Sequence, residues 1–385
     1  MSHSSPMMSL LNLLRPRAAE MTRLLGRFVR AESPSTDNAS VDRFGKIVAA
    51  EWKRRGARVT LVRPGARGNH VRAEWKPRGR SARGQVLVLG HLDTVYDLGR
   101  LARMPFRLSQ GRAYGPGTFD MKGGLVIALF AVDALQATGR VPGKRIVFLW
   151  TSDEEIGSGT SRALIEREAR RSDAVLVLEP ASGPHGNLKT ARKGVGEIEI
   201  IATGRAAHAG LNPEDGINAI EEIALQIARI SHWNRPGRGI TVNAGLIEGG
   251  TRTNVIPEEA RVTVDVRAAS ASDARELERK FRALRPILPG ARLEIRGGIS
   301  RPPMERKISA DLYGTARKLA KEIGLTLGEA FVGGGSDGNF TAALGVPTLD
   351  GLGAVGESAH GANENVLVRA LPERAALLAG LLTTI

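Results

Sequence analysis

At 385 residues the chain is too long for one ordinary core, so two domains are expected, and with 42% hydrophobic and 25% charged residues it is neither disordered nor fibrous. Cysteine is absent, which excludes a disulfide framework and thiolate ligands and leaves His, Asp and Glu to hold any metal. The formal charge of +15 raises nucleic acid as a partner, but Arg and Lys are scattered, with mild clusters only at Lys53-Arg54-Arg55 and Arg78 to Arg83, and aromatic residues make up just 4%. Solvated basic faces that could draw in anionic small substrates are the simpler reading, and no nucleic acid is expected.

From the N-terminus, the first apolar run is short, interrupted by Asn12 and not preceded by a basic region, so no signal peptide is read. No stretch approaches the roughly 18 to 20 apolar residues of a membrane helix; a cytoplasmic location without membrane partners is the expectation. The cluster Ser33-Pro-Ser-Thr-Asp37 predicts a turn and cap before a helix over Val41 to Arg55. Buried strands are predicted at Gln85 to Gly90, Arg145 to Trp150 and Asp173 to Leu178, with a helix from Gly123 to Thr138 among them. This alternation indicates a sheet covered by helices.

From about Gly194 the texture changes. Strand-like segments at Gly196 to Ala202, Ile240 to Gly245 and Ala260 to Arg267 alternate with helical ones at Ile217 to Ser231 and Ser272 to Leu284, which suggests an α+β unit with an antiparallel sheet. After Pro302-Pro303 the first texture returns, with a helix over Ala310 to Ile323 and glycine-rich loops at Gly333 to Gly335 and Gly351 to Gly356. The second unit therefore reads as an insertion in the first, with residues 1–192 and 303–385 forming one domain and 193–302 the other.

Polar residues with chemistry to offer sit where apolar strands end. Val86-Leu-Val-Leu-Gly90 runs into His91-Leu92-Asp93, Ile146-Val-Phe-Leu-Trp150 into Thr151-Ser-Asp-Glu-Glu155, and Ala174-Val-Leu-Val-Leu178 into Glu179. Ligands of open α/β sheets bind outside the carboxyl ends of strands. Asp120, in a glycine-rich loop opening a helix, and His360, in Gly356-Glu-Ser-Ala-His-Gly361, add two more. Singly, each has a plain structural explanation, such as a turn former or an acid favoured at a helix N-terminus. Together, several partly desolvated charges on one rim would repel each other unless they bind a cation.

In order and spacing, Gly90-His-Leu-Asp-Thr-Val95, Gly115-Pro-Gly-Thr-Phe-Asp-Met-Lys-Gly-Gly124, Thr151-Ser-Asp-Glu-Glu-Ile-Gly157 and Leu178-Glu-Pro180 resemble the motifs of the co-catalytic zinc peptidases. That family includes glutamate carboxypeptidase, acetylornithine deacetylase, succinyl-diaminopimelate desuccinylase and aminoacylase, and the likeness is strongest to the glutamate carboxypeptidase branch. The resemblance implies an α/β catalytic domain with a mixed sheet and flanking helices, plus an inserted α+β lid and dimerisation domain. It implies two Zn2+ per subunit, with Co2+ or Mn2+ not excluded: His91 and Glu179 would hold one, Glu155 and His360 the other, and Asp120 would bridge. Glu154 would be the general base and Asp93 the carboxylate that orients the His91 imidazole.

By the same resemblance, His208 would cross a homodimer interface to complete the partner's site and Asn254 would contact substrate. Arg301 would grip a substrate carboxylate, with Gly334 and Gly335 lining its pocket; some members carry Thr where this chain has Gly335, and Arg267 reads as structural. The implied reaction is hydrolysis of an amide to release a C-terminal amino acid, such as glutamate, from a peptide or folate-like acyl group. An N-acyl-amino-acid deacylase is the alternative. A non-catalytic basic binding protein on this fold would have lost ligands, and all five are present.

Overall fold

The computed structural model describes residues 5–76 and 83–385; the first four residues and all of the Arg78 to Arg83 cluster except Arg83 lie outside the described residues. The chain divides into two compact units, Met1–Ala191 with Arg306–Phe331 and Ser336–Ile385, and Arg192–Glu305 with Val332–Gly335.

In the first unit, a six-stranded sheet runs in the order Arg58–Val62, His70–Trp75, Arg145–Thr151, Gln85–His91, Ala174–Val177, Thr348–Leu349. The last four are mutually parallel, His70–Trp75 runs antiparallel to them, and Arg58–Val62 pairs antiparallel with His70–Trp75. All seven residues of Gln85–His91 are buried. Its side chains alternate between two cores: Val86 and Val88 belong to the large cluster with the helices Pro6–Leu14, Ala18–Arg30, Asn38–Arg54, Gly123–Ala137 and Ala370–Thr384, whereas Leu87 and Leu89 pack with Leu164, Ile165 and Phe340. Burial on both faces is why these strands read as unbroken apolar runs.

Local sequence explains the helices on the larger face. Asp37 caps Asn38–Arg54 by accepting the Ser40 N–H at 2.6 Å, and Val41, Phe44, Val48 and Trp52 recur at helical spacing and are all buried. Trp52 stacks on Phe148 of the sheet with ring centroids 4.0 Å apart. The N-terminal apolar run forms the helix Pro6–Leu14, capped by Ser5 and burying Met7, Leu10, Leu11 and Leu14.

The second unit has a four-stranded antiparallel sheet in the order Thr241–Gly249, Glu259–Ala268, Gly194–Thr203, Arg292–Arg301. Helices Ala219–Ser231 and Ala271–Arg282 cover one face, where Ile198, Ile200, Val262, Val264, Ile223, Leu277 and Phe281 form the core. The strand Arg292–Arg301 escapes the sequence pattern because Gly297 and Gly298 interrupt its alternation. Gly297 has φ +83° and lies so close to the Glu197 carbonyl that no side chain fits.

Candidate metal centre

Three parallel strands deliver their C-terminal ends to one edge of the first unit. The strand Gln85–His91 ends on His91, Arg145–Thr151 leads into a one-turn 3-10 helix Glu154–Ile156, and Ala174–Val177 precedes Glu179 by two residues. His91 Nε2 lies 3.1 Å from Asp120 Oδ1 and 3.5 Å from Glu179 Oε1. The other oxygen, Asp120 Oδ2, is 3.3 Å from His360 Nε2, which is 3.3 Å from Glu155 Oε2. Two triads result, His91/Asp120/Glu179 and Asp120/Glu155/His360, each offering ligand atoms within 4.8 Å of one another. They share Asp120, whose two oxygens face different histidines.

The donor set fits hard or borderline divalent cations: nitrogen and oxygen only, two histidines and three carboxylates. Glu155 Oε1 is buried without a protein hydrogen-bond partner, which suits a ligand atom. His91 is oriented for ligation as well. Its Nδ1 lies 2.9 Å from the Asp93 backbone carbonyl and 3.5 Å from that residue's carboxylate. The carbonyl is thus the nearer acceptor, and an Nδ1–H tautomer leaves the Nε2 lone pair toward Asp120 and Glu179.

The Asp93 carboxylate serves the neighbouring turn. It accepts the Ser35 hydroxyl at 2.7 Å and the backbone N–H groups of Glu154 and Glu155 at 3.3 and 3.2 Å. Buried Asp337 accepts the hydroxyls of Thr151, at 3.0 Å, and Ser158, and so ties both ends of the segment that carries Glu154 and Glu155. Gly90 lets the cluster approach this closely, because a side chain there would collide with Met121.

Charge crowding shows in the proton affinities. Burial opposes the charged form of His91, but hydrogen bonds to Asp120, Asp93 and Glu179 outweigh it and hold the imidazolium well above the usual histidine range. Hydrogen bonds to Asp120 and Glu155 push His360 up to about 10. Burial favours neutral Asp120, yet His360 and His91 keep it below the ordinary carboxylate range. The imidazolium contribution of His360 to stability is therefore present below the ordinary histidine value of about 6.5 and lost as pH rises through about 10. Metal uptake must displace these protons. Zinc chloride added at pH 7 is expected to release roughly two protons per chain, and affinity should rise with pH over that window; calorimetry in buffers of different ionisation enthalpy reads the number. Proton-neutral uptake would place the metal elsewhere.

Sequence reasoning missed Glu364, four residues after His360. This buried acid accepts the Tyr96 hydroxyl at 2.6 Å and the backbone N–H groups of Gly117, Phe119 and Asp120 at 3.1, 2.7 and 2.9 Å, and so clamps the loop that presents Asp120. Burial pushes its carboxyl up to about 7 against those hydrogen bonds. Lys122 anchors the loop's far side, with Nζ donating to the Phe28 and Ala31 carbonyls at 3.1 and 2.8 Å near the end of Ala18–Arg30. Glu364→Gln replaces one acceptor oxygen by an NH2 that must face at least one backbone N–H donor and is expected to weaken zinc affinity about 10- to 100-fold, measured by competition with a fluorescent chelator. Unchanged affinity would show that Asp120 is held without it.

The remaining predicted residues lie in the second unit, in two groups. His208 pairs with Val255 in a short ladder, and the Ala209 N–H donates to the Asn254 carbonyl at 3.0 Å, so His208 and Asn254 are neighbours. His208 is exposed, and its Nδ1 accepts the N–H groups of Gly210 and Leu211 at 3.1 and 3.2 Å; a neutral ring then carries its proton on Nε2. Arg301 is buried at the end of Arg292–Arg301 beside Gly335, where an added Cβ would lie 2.9 Å from Arg301 Cδ. Arg192 holds the glycine loop by donating to the Gly334 and Gly335 carbonyls at 3.0 and 3.3 Å. Arg267, also nearby, pairs with Asp265 at 2.8 Å and reaches the Gly333 carbonyl.

The family profile described as peptidase family M20/M25/M40 matches residues 87–384. Carboxypeptidase G2 of Pseudomonas sp. (strain RS-16) is 32% identical over 367 residues, which cover 94% of this chain and 88% of that protein. Among solved structures, aminopeptidase PepT from Bacillus cereus superposes with TM-score 0.77 at 22% identity, covering 95% of this chain and 98% of the other. The Bacillus subtilis YXEP protein, a dinuclear metal binding peptidase from family M20, does so with TM-score 0.70 at 16% identity, covering 97% and 98%. At these identities the two structures establish the shared fold.

Proposed function

The chain belongs to peptidase family M20/M25/M40, and from that premise we propose that this metal-dependent hydrolase is a two-zinc carboxypeptidase, cleaving the amide that joins a C-terminal amino acid such as glutamate to a peptide or larger acyl group. The observation that carries the reading is the pair of triads sharing Asp120. His91 and Glu179 would hold one ion and Glu155 and His360 the other, with Asp120, common to both triads, available to each. When bound, the ions supply Lewis-acid polarisation of the scissile carbonyl and lower the pKa of water.

Glu154 takes the proton of the attacking water on its carboxylate and returns it to the leaving nitrogen. Asp93 fixes the turn from which it acts, through the N–H groups of Glu154 and Glu155. Arg301 binds the substrate carboxylate, backbone groups at Gly334 and Gly335 line its pocket, and Asn254 contacts the substrate. The test is hydrolysis of a panel of N-acyl amino acids and dipeptides by chelated and zinc-reloaded enzyme. Activity only after reloading, lost when the terminal carboxylate is amidated, is expected; a zinc-loaded enzyme inactive on the whole panel overturns the reading. A preference for N-acetyl substrates would favour a deacylase.

The proposal includes a homodimer formed through the inserted 193–302 domain, with His208 completing the partner's site. Its support is the strand Thr241–Gly249, which lies at a sheet edge with Leu246 and Ile247 67% and 58% exposed. Mixing inactive Glu154→Ala with inactive His208→Ala should restore part of the activity, since hybrid dimers contain one site with both groups. No rescue despite demonstrated subunit exchange counts against the shared site. No described helix is long and apolar enough to cross a membrane; action in the cytoplasm, compatible with a chain lacking cysteine, completes the proposal.

A further inference from the structure

We infer that His70 is a positioning residue for the hydrolysis: its neutral ring clamps the turn from which Glu154 acts, joining Ser152 on the way into that turn to Thr160 on the way out. The inference rests on Glu154 being the proton carrier, as proposed above. His70 opens the strand His70–Trp75, which pairs antiparallel with Arg145–Thr151, so it stands beside the strand end that leads into Ser152, Asp153, Glu154 and Glu155. His70, Ser152 and Asp153 are all buried, and the whole arrangement lies in the first unit.

Hydrogen bonding selects one form of the ring. His70 Nδ1 lies 3.2 Å from the Ser152 nitrogen and 2.9 Å from the Ser152 hydroxyl, which also has the Gly68 carbonyl at 2.5 Å. On the other side, Nε2 lies 3.4 Å from the Thr160 hydroxyl, whose own proton goes to Asp153 Oδ2 at 2.7 Å. With its proton on Nε2, the ring accepts the Ser152 N–H and donates to Thr160, and each group has a partner. A proton on Nδ1 would leave the buried Ser152 N–H without an acceptor and Nε2 without a donor, which folded proteins avoid. Burial, opposed by the charges of Asp153, Asp337 and Asp93, holds the imidazole below the usual histidine range and so keeps it neutral.

The turn needs such a clamp because its two adjacent carboxylates have different tasks. Asp337 holds Thr151 and Ser158, and Asp93 holds the N–H groups of Glu154 and Glu155. Between those anchors, the Ser152 N–H is held by His70, and Asp153 Oδ2 accepts both the N–H and the hydroxyl of Thr160 at 2.7 Å. Asp153 Oδ1 is buried without a hydrogen-bond partner among the described residues, so the Thr160 side anchors this carboxylate. Glu155 is further tied to its triad by His360 at 3.3 Å. Loosening the backbone just before Glu154 therefore acts mainly on the proton carrier, and a misplacement of about 1 Å can cost on the order of 10²-fold in rate.

The test compares His70→Asn, which puts an amide oxygen where Nδ1 stands, with His70→Gln, which puts carbon there and sends its polar end toward Thr160. On the best substrate of the panel above, zinc-loaded His70→Gln should lose about tenfold or more in kcat, with KM within about twofold of wild type and zinc content unchanged. His70→Asn should recover most of that loss, although both variants lower the melting temperature alike. In a Glu154→Ala background, His70→Gln should cost nothing further, because it acts through that carboxylate. Independently of turnover, the 15N spectrum of the labelled protein should show the His70 ring protonated on Nε2 alone. Should His70→Gln fail to fold, Thr160→Val, which removes the hydroxyl between the ring and Asp153, should lower kcat with KM held.

Equal kcat in the Asn and Gln variants overturns the role, as does a His70→Gln loss that persists without Glu154. A proton on Nδ1, or wild-type kcat in Thr160→Val, overturns it too. Loss of zinc from His70→Gln would move the effect of the ring to Glu155 and likewise end the proposal. Full activity of Glu154→Ala would instead overturn the reading of Glu154 as the proton carrier.

Discussion

Glu154→Ala is expected to lower kcat by on the order of 10² to 10⁴-fold while metal content and melting temperature stay at wild-type values. Glu155→Ala, one residue on, is expected to lose metal. The two carboxylates leave the same turn, but only Glu155 belongs to a triad, with one oxygen 3.3 Å from His360 Nε2 and the other buried without a protein partner. Glu154 is half-buried and shares with Glu155 only the backbone anchor on Asp93. One turn can thus supply a ligand and a proton carrier. Elemental analysis beside steady-state kinetics separates the roles: if Glu154→Ala lost zinc and Glu155→Ala kept it, they would have to be exchanged.

Arg301→Ala is expected to cut kcat/KM for a substrate with a free terminal carboxylate by about 2 to 5 kcal/mol, the usual cost of truncating one partner of a buried charge pair. The matching amide or ester, lacking the charge, should be affected far less. Lysine should rescue only in part, because it lacks the planar two-bond fork that fits a carboxylate. The glycine at 335 bears on the same result: with Arg301 Cδ only 2.9 Å from where a Cβ would stand, Gly335→Thr must shift the arginine stem and is expected to lower the same rate by less. Equal losses on charged and neutral substrates, with the fold intact, would leave Arg301 a structural residue.

How much of this could be read in advance differed between parts of the molecule, for physical reasons. Strands buried on both faces announce themselves as apolar runs, so Gln85–His91, Arg145–Thr151 and Ala174–Val177 were visible within a residue or two. The amphipathic stripe of Asn38–Arg54 was equally plain. The strand Arg292–Arg301 was not, because its paired glycines break the alternation to let backbones meet. The helix Ala370–Thr384 was missed as well: buried residues occur on every face, including Arg374, whose guanidinium bonds to the carbonyls of Gly186, Gly351 and Gly353. A buried arginine satisfied by loops distant in sequence carries no local signal.

The sequence by itself determined the family, the alternation of elements and the five residues that form the overlapping triads, because each ends a strand or sits in a glycine-rich loop with recognisable spacing. Only the tertiary structure decided how they are held. It showed that the Asp93 carbonyl, rather than its carboxylate, is the nearer partner of His91, and that the carboxylate instead secures the turn of Glu154 and Glu155. It also brought Glu364 to the amides of the Asp120 loop, 244 residues away along the chain, and Asp337 to Thr151 and Ser158. Hydrogen bonds to backbone amides depend on where the chain returns in space, and any acid of the right reach can make them, so residue identity and spacing leave no trace of them until the fold is formed.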